Sequence, residues 1–141
     1  MAEFTNAALQ TVAAGANVQF TETPIPCCKG YVMHREGSGV VTLRGATAQN
    51  RARYRVSFGG NLAVPTGGTV GPVAVALALN GEALGSATGI VTPAAVEEFF
   101  NVYVEAYIDV PCGCCLTVAV RNIGTEPIDV QNANLIVDRV A

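Results

Sequence analysis

The chain has no tryptophan, one histidine and two methionines in 141 residues. Each shortage excludes something. With His34 the only histidine, any Ser-His or Cys-His nucleophile must use it, and its neighbours Met33, Arg35 and Glu36 form no such arrangement, so a surface histidine is expected. Glu97 and Glu98 are adjacent and in a strand would point to opposite faces, which denies them a shared substrate. The glycines form no phosphate-cradling turn between a strand and a helix. No enzymatic activity, cofactor or metal centre is therefore expected.

Charge is scarce as well. Only 13% of residues are charged and the net charge is -3, with the basic residues dispersed among apolar ones, which gives no footprint for nucleic acid. No apolar run approaches the ~20 residues of a membrane-spanning helix. The opening from Met1 to Asn6 carries no basic segment followed by an apolar one, so synthesis in the cytoplasm without a signal peptide is expected, with a virion, spore or other particle surface as the destination. Helical periodicity is missing except at Thr92 to Val96, where Thr92 can cap and Pro93 can occupy the first position of one turn.

What the sequence does have is alternation. From Phe99 to Val110, Phe100, Val102, Val104, Ala106, Ile108 and Val110 share one face of an extended strand, and Phe99, Asn101, Tyr103, Glu105, Tyr107 and Asp109 share the other. The first is a core face. The second is an aromatic ladder broken by polar groups, a pattern suited to a partner surface. Period two recurs at Ala16–Phe20, Arg51–Phe58 and Leu116–Arg121. Gly, Pro and Asn clusters separate these runs, and Asn80-Gly81 is the sharpest hairpin signal because a two-residue primed turn needs positive φ at both central residues. Near the end, Ile128 and Val130 are out of phase with Ala133, Leu135 and Val137, and one extra residue at Gln131-Asn132, as in a β-bulge, restores a common core face. About ten strands at this spacing predict an all-β, antiparallel two-sheet sandwich. An arm over residues 1–12 and one domain over 13–141 complete the expected organisation.

Val73 to Leu79 is apolar on both sides, with Val73, Val75, Leu77 and Leu79 on one face and Ala74, Ala76 and Ala78 on the other. Two readings are open: a central strand covered on both sides by its own chain, or an alanine face that lets a neighbouring subunit approach closely.

The opening segment Gly15–Phe20, the strand Arg51–Phe58, the hairpin Val75–Gly81 and the closing run Ala133–Val140 together resemble the C1q/TNF-like jelly-roll superfamily. They are most similar to its bacterial and phage branch, which includes the carboxy-terminal domain of the exosporium glycoprotein of bacilli. The resemblance spans residues 13–140. It implies a ten-stranded jelly roll forming a tight homotrimer without catalysis, serving as a structural head, adhesin or receptor ligand. The collagen-like Gly-X-Y stalk of the exosporium protein is missing here, which favours a capsid decoration or fibre head. The alternative is a lectin-like or receptor-binding head, which the Gly, Pro, Thr and Ala loops do little to support. On the trimer reading, the interface falls on Phe99, Asn101, Tyr103, Glu105 and Tyr107, or on Ala74, Ala76 and Ala78.

Two clusters stand outside the resemblance. Cys27 and Cys28 follow Pro26, while Cys112, Cys114 and Cys115 follow Pro111; a disulfide between the two loops and unpaired, partly buried thiols are the open readings. Zinc is not expected, since paired Cys-x-x-Cys knuckles are lacking. Arg51, Arg53 and Arg55 share one face. They suit either an anion or, more ordinarily, pairing with Glu97, Glu105 or Asp109.

Overall fold

A computed structural model describes residues 1–26 and 30–141; Cys27, Cys28 and Lys29 lie outside the described residues. The described chain forms eleven strands: β1 (Ala2–Asn6), β2 (Gln10–Val12), β3 (Glu22–Ile25), β4 (Val32–His34), β5 (Val41–Arg44), β6 (Arg51–Ala63), β7 (Val73–Leu79), β8 (Glu82–Val91), β9 (Phe100–Pro111), β10 (Cys115–Asn122) and β11 (Ile128–Arg139). Two antiparallel sheets face each other. The first runs β3-β1-β11-β6-β9, with β2 also on β11, and the second runs β4-β5-β10-β7-β8.

Alternation builds the core between the sheets. Phe20, Leu43, Tyr54, Val56, Phe58, Leu62, Val75, Leu77, Val118, Val120 and Leu135 are fully buried, each contributing about 1.5–3 kcal/mol by leaving water. Tyr54 carries a hydroxyl into this interior and donates it to the Arg44 carbonyl at 2.6 Å, which offsets the cost of burying the polar atom. Asn122, also fully buried, donates to the carbonyls of Val12 (3.1 Å) and Glu126 (2.9 Å) and accepts from the Gly124 amide (3.0 Å), so one side chain ties three segments together.

The turn chemistry follows the sequence. Asn80 and Gly81 have φ of 51° and 84°, as a primed hairpin turn between β7 and β8 requires. The register of β11 on β6 shifts between Gln131 and Asn134, with Asn132 at φ 57°, which is the expected bulge. At the sandwich edge where β8 meets β9, Gly89 permits a close approach: a Cβ there would collide with Val102 and press on Val104.

Several expectations are corrected. Thr92–Val96 forms no helix; Pro93 is buried, and Glu97 adopts φ 57° while its amide donates to the Val64 carbonyl at 2.7 Å, so the chain turns back before a helical turn can close. Residues 1–12 are part of the sandwich, since β1 pairs with β11 and Ala2, Phe4 and Val12 are buried. Ala16–Phe20 has the expected inward Val18 and Phe20, but it is held by scattered backbone bonds and a single bridge of Asn17 to Arg121, without a strand ladder. His34 is half-buried, 4.6 Å from the Phe4 ring centroid, with Nε2 hydrogen-bonded to the Ser38 carbonyl at 2.9 Å; it covers the core edge and is no surface histidine. Phe100, expected on the core face, opens β9 and is 40% exposed.

Of the two readings of β7, the structure carries the first. The strand is central, between β10 and β8, and Ala76 and Ala78 are buried by the chain itself, leaving only Ala74 of the alanine face half-open.

Candidate functional site

The edge strand β9 presents Tyr103 and Tyr107 at 61% and 63% exposure on the outer face of the first sheet, with Asn101, Glu105 and Asp109 exposed beside them. Its pairing with β6 is continuous for twelve residues, from Arg51 opposite Pro111 to Leu62 opposite Phe100. That register sets every outward β9 side chain against an outward β6 residue. Tyr103 stands opposite Gly59, where a Cβ would lie 3.9 Å from the ring, in ordinary contact.

The polar groups between the aromatics are already partnered. The Glu105 carboxylate accepts from the Tyr103 hydroxyl (2.7 Å) and from the Ser57 hydroxyl (2.9 Å), the first of these doing most to hold its pKa below the usual glutamate value. Asp109 accepts a two-pronged bond from Arg53, at 2.7 and 3.0 Å, and lies 3.1 Å from Arg51 Nε. The Arg53 hydrogen bond is the main cause that lowers the Asp109 pKa, and the same bond raises that of Arg53. Arg55 turns the other way, to Asp138 at 3.7 Å. At the far end Asn101 donates to Asn61, and Asn61 to Asn132 on the bulge (3.3 and 3.1 Å). Asn134 donates to Glu3 at 2.9 Å on the neighbouring strands. The face is thus a polar platform whose carboxylates are all paired, with Arg55 Nε left without a hydrogen-bond partner and two tyrosine rings standing on its edge strand.

The structure brings together Asn101, Tyr103, Glu105, Tyr107 and the arginine stripe as one surface. Phe99 lies just before β9 and is 38% exposed. The arginines are consumed by carboxylates within the chain, as the ordinary reading expected for Asp109; Glu97 takes no part. Sequence reasoning missed Ser57, Gly59, Asn61, Asn132 and Asp138, each fixed by strand register. The alternation of Arg51–Phe58 placed Ser57 on the arginine face, but nothing local says which residue of another strand will sit opposite.

Cys112, Cys114 and Cys115, at the β9–β10 turn, are exposed and free, where the unpaired reading had them partly buried. Cys112 donates to the Thr47 carbonyl (Sγ to O 3.2 Å). The suggested bridge to Cys27 or Cys28 ends on residues outside the described ones. Among the described residues no cluster of three His, Cys, Asp or Glu side chains is placed to hold a metal.

No protein-family model and no curated protein matches the chain. Solved structures do match it across nearly its full length. They include an Eiger TNF from S. frugiperda (14% identical, covering 99% of this chain and 91% of that one, TM-score 0.68) and the globular domain of a zebrafish complement 1qA protein (11%, 96% and 94%, 0.63). Murine APRIL at pH 5.0 is similar too (9%, 95% of each chain, 0.56). At these identities the likeness establishes the fold: a TNF/C1q-like jelly roll.

Proposed function

We propose that this protein is a non-enzymatic structural subunit, a homotrimeric jelly-roll head displayed on a virion, as a capsid decoration or fibre head, or on another particle surface. The observation that carries the trimer is the outer face of the first sheet. Two tyrosines stand exposed on a twelve-residue edge strand, while the polar groups among them have their hydrogen bonds made in advance. An exposed edge strand of that length invites pairing with another chain unless something covers it. Around a threefold axis each Tyr103 and Tyr107 would meet its own copies, so one strand supplies stacked aromatic triplets. Burying platform groups already paired leaves few polar atoms unsatisfied, which lowers the cost of association.

Particle display is supported by the resemblance to the bacterial and phage branch and by the low surface charge, which suits a subunit packed among copies of itself. Light scattering at micromolar concentration should give three times the 14.5 kDa chain mass, and a monomer mass would overturn the trimer. Peptides of the chain should be found in density-purified particles from its source; their absence there would overturn display.

A further inference from the structure

Opposite the assembly face, the outer surface of the second sheet holds a shallow cavity of about 380 Å³ whose lining includes Asn17, Val40, Ala78, Thr117, Ala119 and Arg121. Its floor is apolar because Ala78 and Ala119 sit side by side on β7 and β10. Arg121, two residues along β10 from Ala119, reaches the hairpin turn and donates Nη1 to the Gly81 carbonyl at 2.8 Å. Gly15 bounds the other side, where a Cβ would stand 3.7 Å from Nη2.

The charge here is unlike that of the other sheet. Arg51, Arg53 and Arg55 each have a carboxylate within 4 Å, whereas among the described residues the Arg121 guanidinium has one carbonyl acceptor and no carboxylate. Four of its five N–H groups remain available, and the carbonyl bond fixes the plane of the fork. The Thr117 hydroxyl donates to Asn80 Oδ1 at 3.2 Å and keeps its oxygen as an acceptor. The Asn17 side-chain amide makes no hydrogen bond among the described residues and offers both donor and acceptor.

We propose that this groove binds a carboxylate-bearing saccharide. The guanidinium takes the carboxylate, Thr117 and Asn17 take ring hydroxyls, and the C–H face of the sugar rests on Val40, 38% exposed on the same cavity, above the buried Ala78 and Ala119. A charge-assisted pair with the guanidinium supplies most of the affinity, and the alanine floor admits a ring where larger side chains would exclude it. The site lies on the sheet that points away from the trimer face, so it stands or falls independently of the oligomeric state.

The test is a titration of the ¹⁵N-labelled protein with glucuronate, glucose and acetate, followed by amide chemical shifts. Glucuronate should move the amides of Gly15, Gly81, Thr117 and Ala119, glucose should not, and acetate should bind more weakly than glucuronate. Arg121→Gln should weaken glucuronate about tenfold or more, as expected for loss of one charge-assisted interaction. Ala119→Leu, which fills the floor and leaves the arginine in place, should do the same and decides the matter if Arg121→Gln does not fold. No shifts with glucuronate, equal shifts with glucose, equal affinity for acetate, or unchanged binding in a folded variant would each overturn the proposal.

Discussion

Tyr103→Ala is the sharpest test of the assembly face. A tyrosine side chain presents about 200 Å² of surface, and at 61% exposure some 120 Å² remain for a partner to cover. At ~25 cal/mol per Å² that is up to about 3 kcal/mol per chain, or about 9 kcal/mol for the three copies that one codon changes. The monomer concentration at half-dissociation varies with the square root of the trimer dissociation constant, so it should rise by about three orders of magnitude. Sedimentation equilibrium over a dilution series reads this directly. Tyr103→Phe keeps the ring and gives up only the bond to Glu105, which retains Ser57, so it should stay trimeric. Val104→Asp, on the buried side of the same strand, should abolish folding by placing an unpaired carboxylate in the core. A trimer whose dissociation midpoint is unchanged by Tyr103→Ala refutes the reasoning. The alanine face offers no second axis, because Ala76 and Ala78 are already covered by their own chain.

Gly89→Val should destabilise the subunit by about 1–3 kcal/mol or more in urea denaturation, because its side chain would enter the volume of Val102; a neutral result would mean that the β8–β9 edge can open. Asp109 has its pKa lowered in the folded state, so its contribution is present above the ordinary aspartate value and is lost as pH falls through the depressed one. The difference in Tm between the natural chain and Asp109→Asn should therefore vanish in acid, and a gap that persists there would refute the pairing as its cause. Cys112, Cys114 and Cys115 should all alkylate rapidly in the native, unreduced protein, as counted by mass spectrometry. A blocked thiol among them, with a linked peptide in the nonreduced digest, would instead establish the bridge to the Cys27-Cys28 loop.

The strands were legible where two signals agreed. At β9 and β10 alternation and flanking turns both point to half-buried strands, and the structure has them; at β6 the alternation holds, but the strand runs on through the Gly59-Gly60-Asn61 cluster, which reads as a turn, to Ala63. The bulge at Gln131-Asn132 was legible because a one-residue slip inverts every later side chain, which a core-facing strand cannot tolerate. Local pattern misled where tertiary pairing decided the outcome. The first twelve residues contain no long apolar run, yet Ala2, Phe4 and Val12 are enough to seat two short strands once β11 is there to pair with. Thr92-Pro93 is a sound helix start, but the six residues from there to Phe99 must also reverse the chain, and closure between the sheets outweighs a single helical turn.

The candidate site divides along the same line. That Tyr103 and Tyr107 face outward follows from period two and needs no fold. That their polar neighbours are already satisfied does not, because it depends on β6 lying beside β9 in one register out of several. Shifting that register by one residue would set Ser57 opposite a core side chain and strand the Glu105 carboxylate among apolar groups. Shifting it by two would keep the faces but part Ser57 from Glu105 and Arg53 from Asp109. The Ser57–Glu105 and Arg53–Asp109 pairs therefore favour the observed register, and with those polar groups paired the tyrosine rings stand as the most exposed apolar surface of this face.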